Sequence, residues 1–100
     1  MNTIKMFMIC TGLEVVAEIT AEDATSYVAA KPLVITPVPQ GGDTYGLAFM
    51  PYSPADPEGS VRFAKANIVS ETVEVPDNLQ KAYISRTTNL DIVSTTDGLL

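Results

Sequence analysis

The 100-residue chain has no histidine and one cysteine, Cys10. Without histidine it lacks the commonest general base and metal ligand. A lone cysteine permits neither an intrachain disulfide nor a cysteine metal cluster. Inside the apolar run 6–10 it reads as a small buried hydrophobe, and the lack of disulfides suits a reducing compartment. Positive charge is scarce, with six basic against twelve acidic residues and a net charge of −6. That balance disfavours a broad nucleic-acid-binding surface, and no DNA partner is expected, although symmetry can build a small basic patch from few residues. No stretch approaches the ~20 apolar residues of a membrane span. The run 6–10 is too short for the apolar core of a signal peptide, so the reading is a cytoplasmic protein with no membrane partner. With no histidine, no nucleophile motif and no phosphate loop, the chain reads as a non-enzyme without a cofactor. Glu22 and Asp23 are neighbours on an extended chain, where adjacent side chains point to opposite faces. They therefore form no metal site by themselves.

What is present is β-strand patterning. Apolar residues make up 46% of the chain, enough for one small folded domain. From Glu14 to Thr20 the chain alternates. Val15, Ala17 and Ile19 share one face, Glu14, Glu18 and Thr20 the other, and only Val16 is out of place. Gly12 marks a tight turn between this strand and a nearly all-apolar first strand over 4–10. A long third strand over 27–38 is interrupted by Pro32 and Pro37, which belong at an outward-facing edge or a bulge. The turn 39–43 (PQGGD) makes a hairpin with a fourth strand over 44–52. A proline-rich loop over 51–60, a short strand over 61–65, a turn at Lys65-Ala66-Asn67 and a last strand over 68–75 follow. Pro76 and Asp77 open a helix, with Leu79, Ala82 and Tyr83 on one stripe, expected to run to about Arg86. Beyond it, residues 90–93 are the one candidate docking element, and the last six or so residues are expected to fray. Five or six short antiparallel strands and one helix suit a small barrel, and SH3-like, OB-like and Sm-like barrels all fit the pattern.

The set Gly12, Val15, Ala17, Ile19 and Asp23 resembles the first motif of the Sm-like family (Sm, LSm and bacterial Hfq proteins). That motif has a glycine, a valine three residues on, a small residue two further, an aliphatic two further and an aspartate four after that. The long third strand, the loop and the short strands flanking Lys65-Ala66-Asn67 also follow the Sm order. The chain is similar to the small Sm-like proteins of tailed phages, including those of marine cyanobacteria, in Lys31-Pro32-Leu33-Val34-Ile35, in the segment 46–54 (GLAFMPYSP) and in a closing helix with a tyrosine. The resemblance spans residues 4–87. It implies a mainly β fold: a small, strongly bent, five-stranded antiparallel Sm-like (SH3-type) barrel with one short C-terminal helix. The domain would cover 1–87, with the helix at about 77–87 and a partly frayed tail over 88–100. It further implies a homo-oligomeric ring of five to seven subunits that binds single-stranded RNA as a chaperone or processing adaptor, in the host cytoplasm if phage-encoded. Three positions depart from the family pattern. Ala17 stands where glycine is usual, Tyr27 falls where an asparagine is usual, and Ala64-Lys65-Ala66-Asn67-Ile68 lacks the family's arginine-glycine pair. With the net charge, these departures leave a second reading open: a structural or protein-interaction ring that does not bind RNA.

Four residues are RNA-binding candidates on this resemblance. Tyr27 would stack on a base or simply pack on a neighbour. Lys65 would contact phosphate near a pore or stay a solvated turn lysine. Asn67 would bond a base edge or serve as a turn residue at positive φ. Asp23 would orient the nucleotide loop through backbone N–H groups, as an Asx turn also does. The subunit interface is expected at Val61, Arg62, Phe63, Ala64, Ile68, Val69, Ser70 and Val73, on two edges with little charge and no proline. The expected core is Val15, Ala17, Ile19, Val28, Leu47, Phe49, Phe63 and Val69.

Overall fold

The computed structural model of the chain describes residues 3–96, with side chains as far as Thr88. Six strands form one antiparallel sheet: β1 (Thr3–Ile9), β2 (Glu14–Glu22), β3 (Ser26–Pro39), β4 (Tyr45–Pro51), β5 (Ser60–Ala64) and β6 (Ile68–Glu71). A 3₁₀ turn over Lys65–Asn67 joins β5 to β6, and helix α1 (Asp77–Thr96) follows. The spatial order is β4-β3-β2-β1-β6, with β5 also on β3. The fold class is therefore mainly β with a C-terminal helix. Within the chain the sheet stays open, because β5 pairs only with β3 and β6 only with β1.

The first turn is the one the sequence predicts. Gly12 takes φ 91° and its N–H donates to the Ile9 carbonyl at 2.9 Å. Cys10 sits just past β1 and is exposed, not buried, because the apolar strand ends at Ile9 and the chain turns there. β3 is the long central strand. Its first half, Ser26 to Ala30, pairs with β5, and its second half, Leu33 to Pro39, pairs with β4. Between the halves, Lys31 adopts φ 48° and donates its N–H to the Gly59 carbonyl at 3.1 Å. Pro32 lies at this break, where a missing N–H costs no ladder bond.

The sheet curls strongly. β1 and β5 are three strand spacings apart along the ladder, about 14 Å if flat, yet the Phe7 and Phe63 rings meet at 5.2 Å. One face thereby encloses Phe7, Ile9, Val15, Ala17, Ile19, Tyr27, Ala29 and Phe63. The other face holds a second cluster, Val16, Leu33 and Ile35, against Val75, Leu79 and Tyr83. Val16, out of step with an alternating strand, is thus explained: it is fully buried beneath α1.

The helix is fastened by one hydroxyl. Tyr83 Oη accepts the Glu18 N–H at 3.1 Å and lies 2.9 and 3.1 Å from the carbonyls of Ala30 and Lys31. These groups flank the register shift between β2 and β3. A phenol is both donor and acceptor, so it satisfies backbone groups that the irregular ladder leaves over.

Four expected core positions lie elsewhere. Leu47 is 53% exposed, because β2 ends opposite Ile35 and the β3–β4 hairpin overhangs it. Phe49 is half-buried against the helix-side cluster, and Val28 is half-buried. Val69 is 68% exposed, because the β1–β6 register jumps from Ser70 to Ile68 and leaves Val69 without a partner. The last strand stops at Glu71, after which Thr72 N–H donates to the Met6 carbonyl and the chain leaves the sheet. Val73 is fully exposed and Val75 packs under the helix, so the valines at 69, 73 and 75 do not share a face. The helix runs to Thr96, not Arg86, since no proline or glycine interrupts the chain before Gly98. The expected docking role of side chains 90–93 lies outside the described residues; of the last six residues expected to fray, Thr95 and Thr96 lie in the helix, and 97–100 are outside the described residues.

Burial pushes the Tyr83 phenol up to about 12. A phenol held neutral in the fold contributes stability that is complete below its ordinary value near 10 and is lost as pH rises toward about 12. Denaturation midpoints should fall across pH 10–12 in the native chain. Tyr83→Phe should cost about 1–3 kcal/mol at neutral pH by orphaning the Glu18 N–H, and should lessen the alkaline fall. Ile19→Ala should cost about 2–4 kcal/mol in chemical denaturation at neutral pH.

Candidate functional site

Two turns that are distant in sequence meet at one end of the sheet. The β2–β3 turn is built around Asp23. Its Oδ1 accepts the N–H groups of Thr25 and Ser26, both at 2.8 Å, and their hydroxyls at 3.1 and 3.2 Å. The Asp23 N–H in turn donates to the Ser26 carbonyl at 3.0 Å. An aspartate at this place is favoured because a carboxylate satisfies several backbone donors in a turn too tight to satisfy its own. The N–H of Thr25, followed by that of Ser26, holds the Asp23 carboxyl below its usual 3.8. The 3₁₀ turn docks on this loop, with the Lys65 N–H donating to the Thr25 carbonyl at 2.8 Å.

Every cation at this end has an acidic neighbour. Lys65 Nζ lies 2.6 Å from Glu22 Oε2, and Arg62 Nη1 lies 3.7 Å from Asp23 Oδ2. Arg62 also donates to Ser26 Oγ at 2.9 Å. Lys5 Nζ is 3.2 Å from Glu71 Oε2, and Tyr27 Oη donates to Glu71 Oε1 at 2.7 Å. Lys65 Nζ stands 4.9 Å from the Tyr27 ring centroid and Lys5 Nζ 5.7 Å from it. Burial first, and the Glu71 carboxylate second, push the Tyr27 phenol up to about 12.

Of the sequence candidates, Asp23 and Lys65 are brought together through the Thr25 turn. Tyr27 joins them but does not present its ring: it is 7% exposed and stacks on Phe7 at 6.0 Å. The structure thus gives it the packing role, because Tyr27 shares with Ala29 the face of β3 that turns to the enclosed core. Asn67 is exposed on the far side of the 3₁₀ turn, and its carbonyl accepts the Cys10 N–H at 2.8 Å. Its φ is not positive, so the turn there is a 3₁₀ turn and not one that needs the left-handed region. The partners Glu22, Glu71 and Lys5 were missed. They lie 43 to 66 residues from the groups they bind, and no local pattern signals them.

Among the expected interface residues, Phe63 is buried and Val61 and Ile68 are half-buried against the enclosed core. Arg62, Ala64, Val69, Ser70 and Val73 are exposed. Beside them is a cleft of about 210 Å³ bounded by Ile9, Cys10, Tyr52, Val61, Phe63 and Asn67, at the seam where β5 and β6 do not pair. Among the described residues, no group of three acidic or cysteine side chains converges as a metal site would require. No helix among them is long and apolar enough to cross a membrane. No family model matches the chain, and no curated protein matches it as a relative.

Since Tyr27 is a buried aromatic, Tyr27→Ala should cost about 3–5 kcal/mol in chemical denaturation. A stability change below about half a kcal/mol would instead make Tyr27 an exposed platform. Asp23→Ala should weaken the fold at neutral pH. The native Asp23 contribution is present above pH 3.8 and is lost as pH falls through its lowered value.

Proposed function

We propose that the chain is the subunit of a closed, homo-oligomeric Sm-like ring, and that the ring serves protein assembly and not RNA binding. The observation that supports the ring is the open seam. β5 and β6 each carry a free edge at opposite ends of one curled sheet, and an unpaired edge must be covered, charged or paired. Pairing β5 of one copy with β6 of the next is a heterologous contact, which closes when its rotation divides a full turn. Five to seven subunits accord with the resemblance. The observation that favours an assembly role is the ion pairing at the joined turns. Lys65 and Arg62 are each matched by a carboxylate, so little positive charge is left for phosphate. The RNA reading has one observation in its favour, the Asp23-organised loop lying against Lys65 where the family holds nucleotides.

The β3–β5 ladder supplies the test. The bonds Lys31 N–H to Gly59 and Lys65 N–H to Thr25 set its parity, so Ser60, Arg62 and Ala64 turn their backbone groups toward the free edge. Ala64 has φ −72°, which proline also adopts. Ala64→Pro should therefore remove an edge donor without breaking the subunit. Light scattering at micromolar concentration should show five or more subunits for the native chain and at most two for this variant; a native chain of one or two subunits would refute the ring. Fluorescence anisotropy with U-rich and A-rich oligomers at low salt should show no binding. Salt-sensitive binding that Lys65→Ala abolishes would establish the RNA reading instead.

A further inference from the structure

We propose that the outer edge of β4 is a second self-association surface, on which two copies pair their β4 strands antiparallel about Leu47. The hairpin's prolines fix which way its backbone groups point. The register sets Pro37 opposite Leu47, Pro39 opposite Tyr45 and Pro51 opposite Leu33. Proline has no N–H to give, so these odd-numbered positions turn away from the β3–β4 ladder. Bonds from the Gln40 N–H to Thr44 and from the Tyr52 N–H to Pro32 continue the even-numbered set at both ends.

The hairpin's two sides are then unequally protected. On β3 the odd set faces the β2 side. β2 ends opposite Ile35, and beyond it Pro37 and Pro39 leave no donor to offer. On β4 the odd set faces outward, so Tyr45, Leu47 and Phe49 present three N–H groups on the terminal strand of the sheet. Tyr45 is 69% and Leu47 53% exposed on one face, and Met50 is 60% exposed on the other. No charge, bulge or proline blunts this edge before Pro51.

Charge and register both suit a second copy of the chain as the occupant. Copies carrying −6 repel one another over most of their surface, but β4 (YGLAFMP) bears no charged residue, so two copies can meet along it without placing like charges opposite each other. Antiparallel pairing about Leu47 sets the three outward residues of one copy against the three of the other, with Tyr45 opposite Phe49 of the second copy. Each copy's N–H groups then face carbonyls, and Pro51 falls outside the paired region. The contact is two-fold and closes on itself. It does not depend on ring formation, and it doubles whatever unit the other edges assemble.

The test uses the full chain in light scattering and sedimentation velocity at micromolar concentration. The native protein should have twice the mass of Leu47→Lys and of Leu47→Glu, in which like charges face each other at the two-fold axis. An equimolar mixture of these two variants should return to the native mass. Leu47→Pro removes an outward donor and no bond of the β3–β4 ladder, and it too should halve the mass, with a circular dichroism melt confirming the fold. A native mass unchanged by all three variants would overturn the proposal. So would a lysine–glutamate mixture that stays at half mass, because opposite charges would then fail to restore a contact centred on Leu47.

Discussion

The structure depends on one phenol. The β2–β3 ladder is irregular where β3 changes its outer neighbour from β5 to β4, and a broken ladder leaves backbone groups without partners. Tyr83 brings a donor and an acceptor to that break from the far side of the sheet. The helix is thus more than a cover for Val16, Leu33 and Ile35. It completes the hydrogen bonding that lets a continuous sheet curl. Curling in turn brings Phe63 onto Phe7 and sets the β2–β3 turn beside the 3₁₀ turn.

Much of this architecture was legible in local pattern. The alternation of Val15, Ala17 and Ile19 marks the enclosed face, and the single exception at Val16 marks a second covered face. Gly12 and Pro32 mark a turn and a break, and both occur there. What was not legible depends on where strands end relative to one another. Leu47 alternates as a core residue would, but it lies past the end of β2 and has nothing above it. Val69 alternates with Val73, yet a one-residue slip in the β1–β6 register removes it from the face its spacing implies. Such slips are properties of a pair of strands, and neither strand reveals them alone.

The joined turns illustrate the same limit in electrostatic terms. Lys65 and Tyr27 are residue types that commonly meet nucleic acid, and Asp23 does order a loop. Yet the sheet carries Glu22 and Glu71 to within hydrogen-bond reach of them. A residue type suggests an interaction, and its neighbours decide whether that capacity remains available. Here an acidic chain sets Lys5 and Lys65 onto its own carboxylates and beside the Tyr27 ring.

The break in β3 has a consequence for how this sequence can change. Across it, Lys31 and Pro32 face residues 52–59, so two residues on one side accommodate eight on the other. Both ends of the eight-residue excursion are pinned, Tyr52 to the Pro32 carbonyl and Gly59 to the Lys31 N–H. The register of β4 and of β5 is therefore set independently of what lies between them. Chain length there is a free variable: doubling such a loop costs only about 0.6 kcal/mol in closure entropy. This is the point at which the fold can carry a graft, acquire a recognition loop or lose one, while the sheet beneath keeps its pairing.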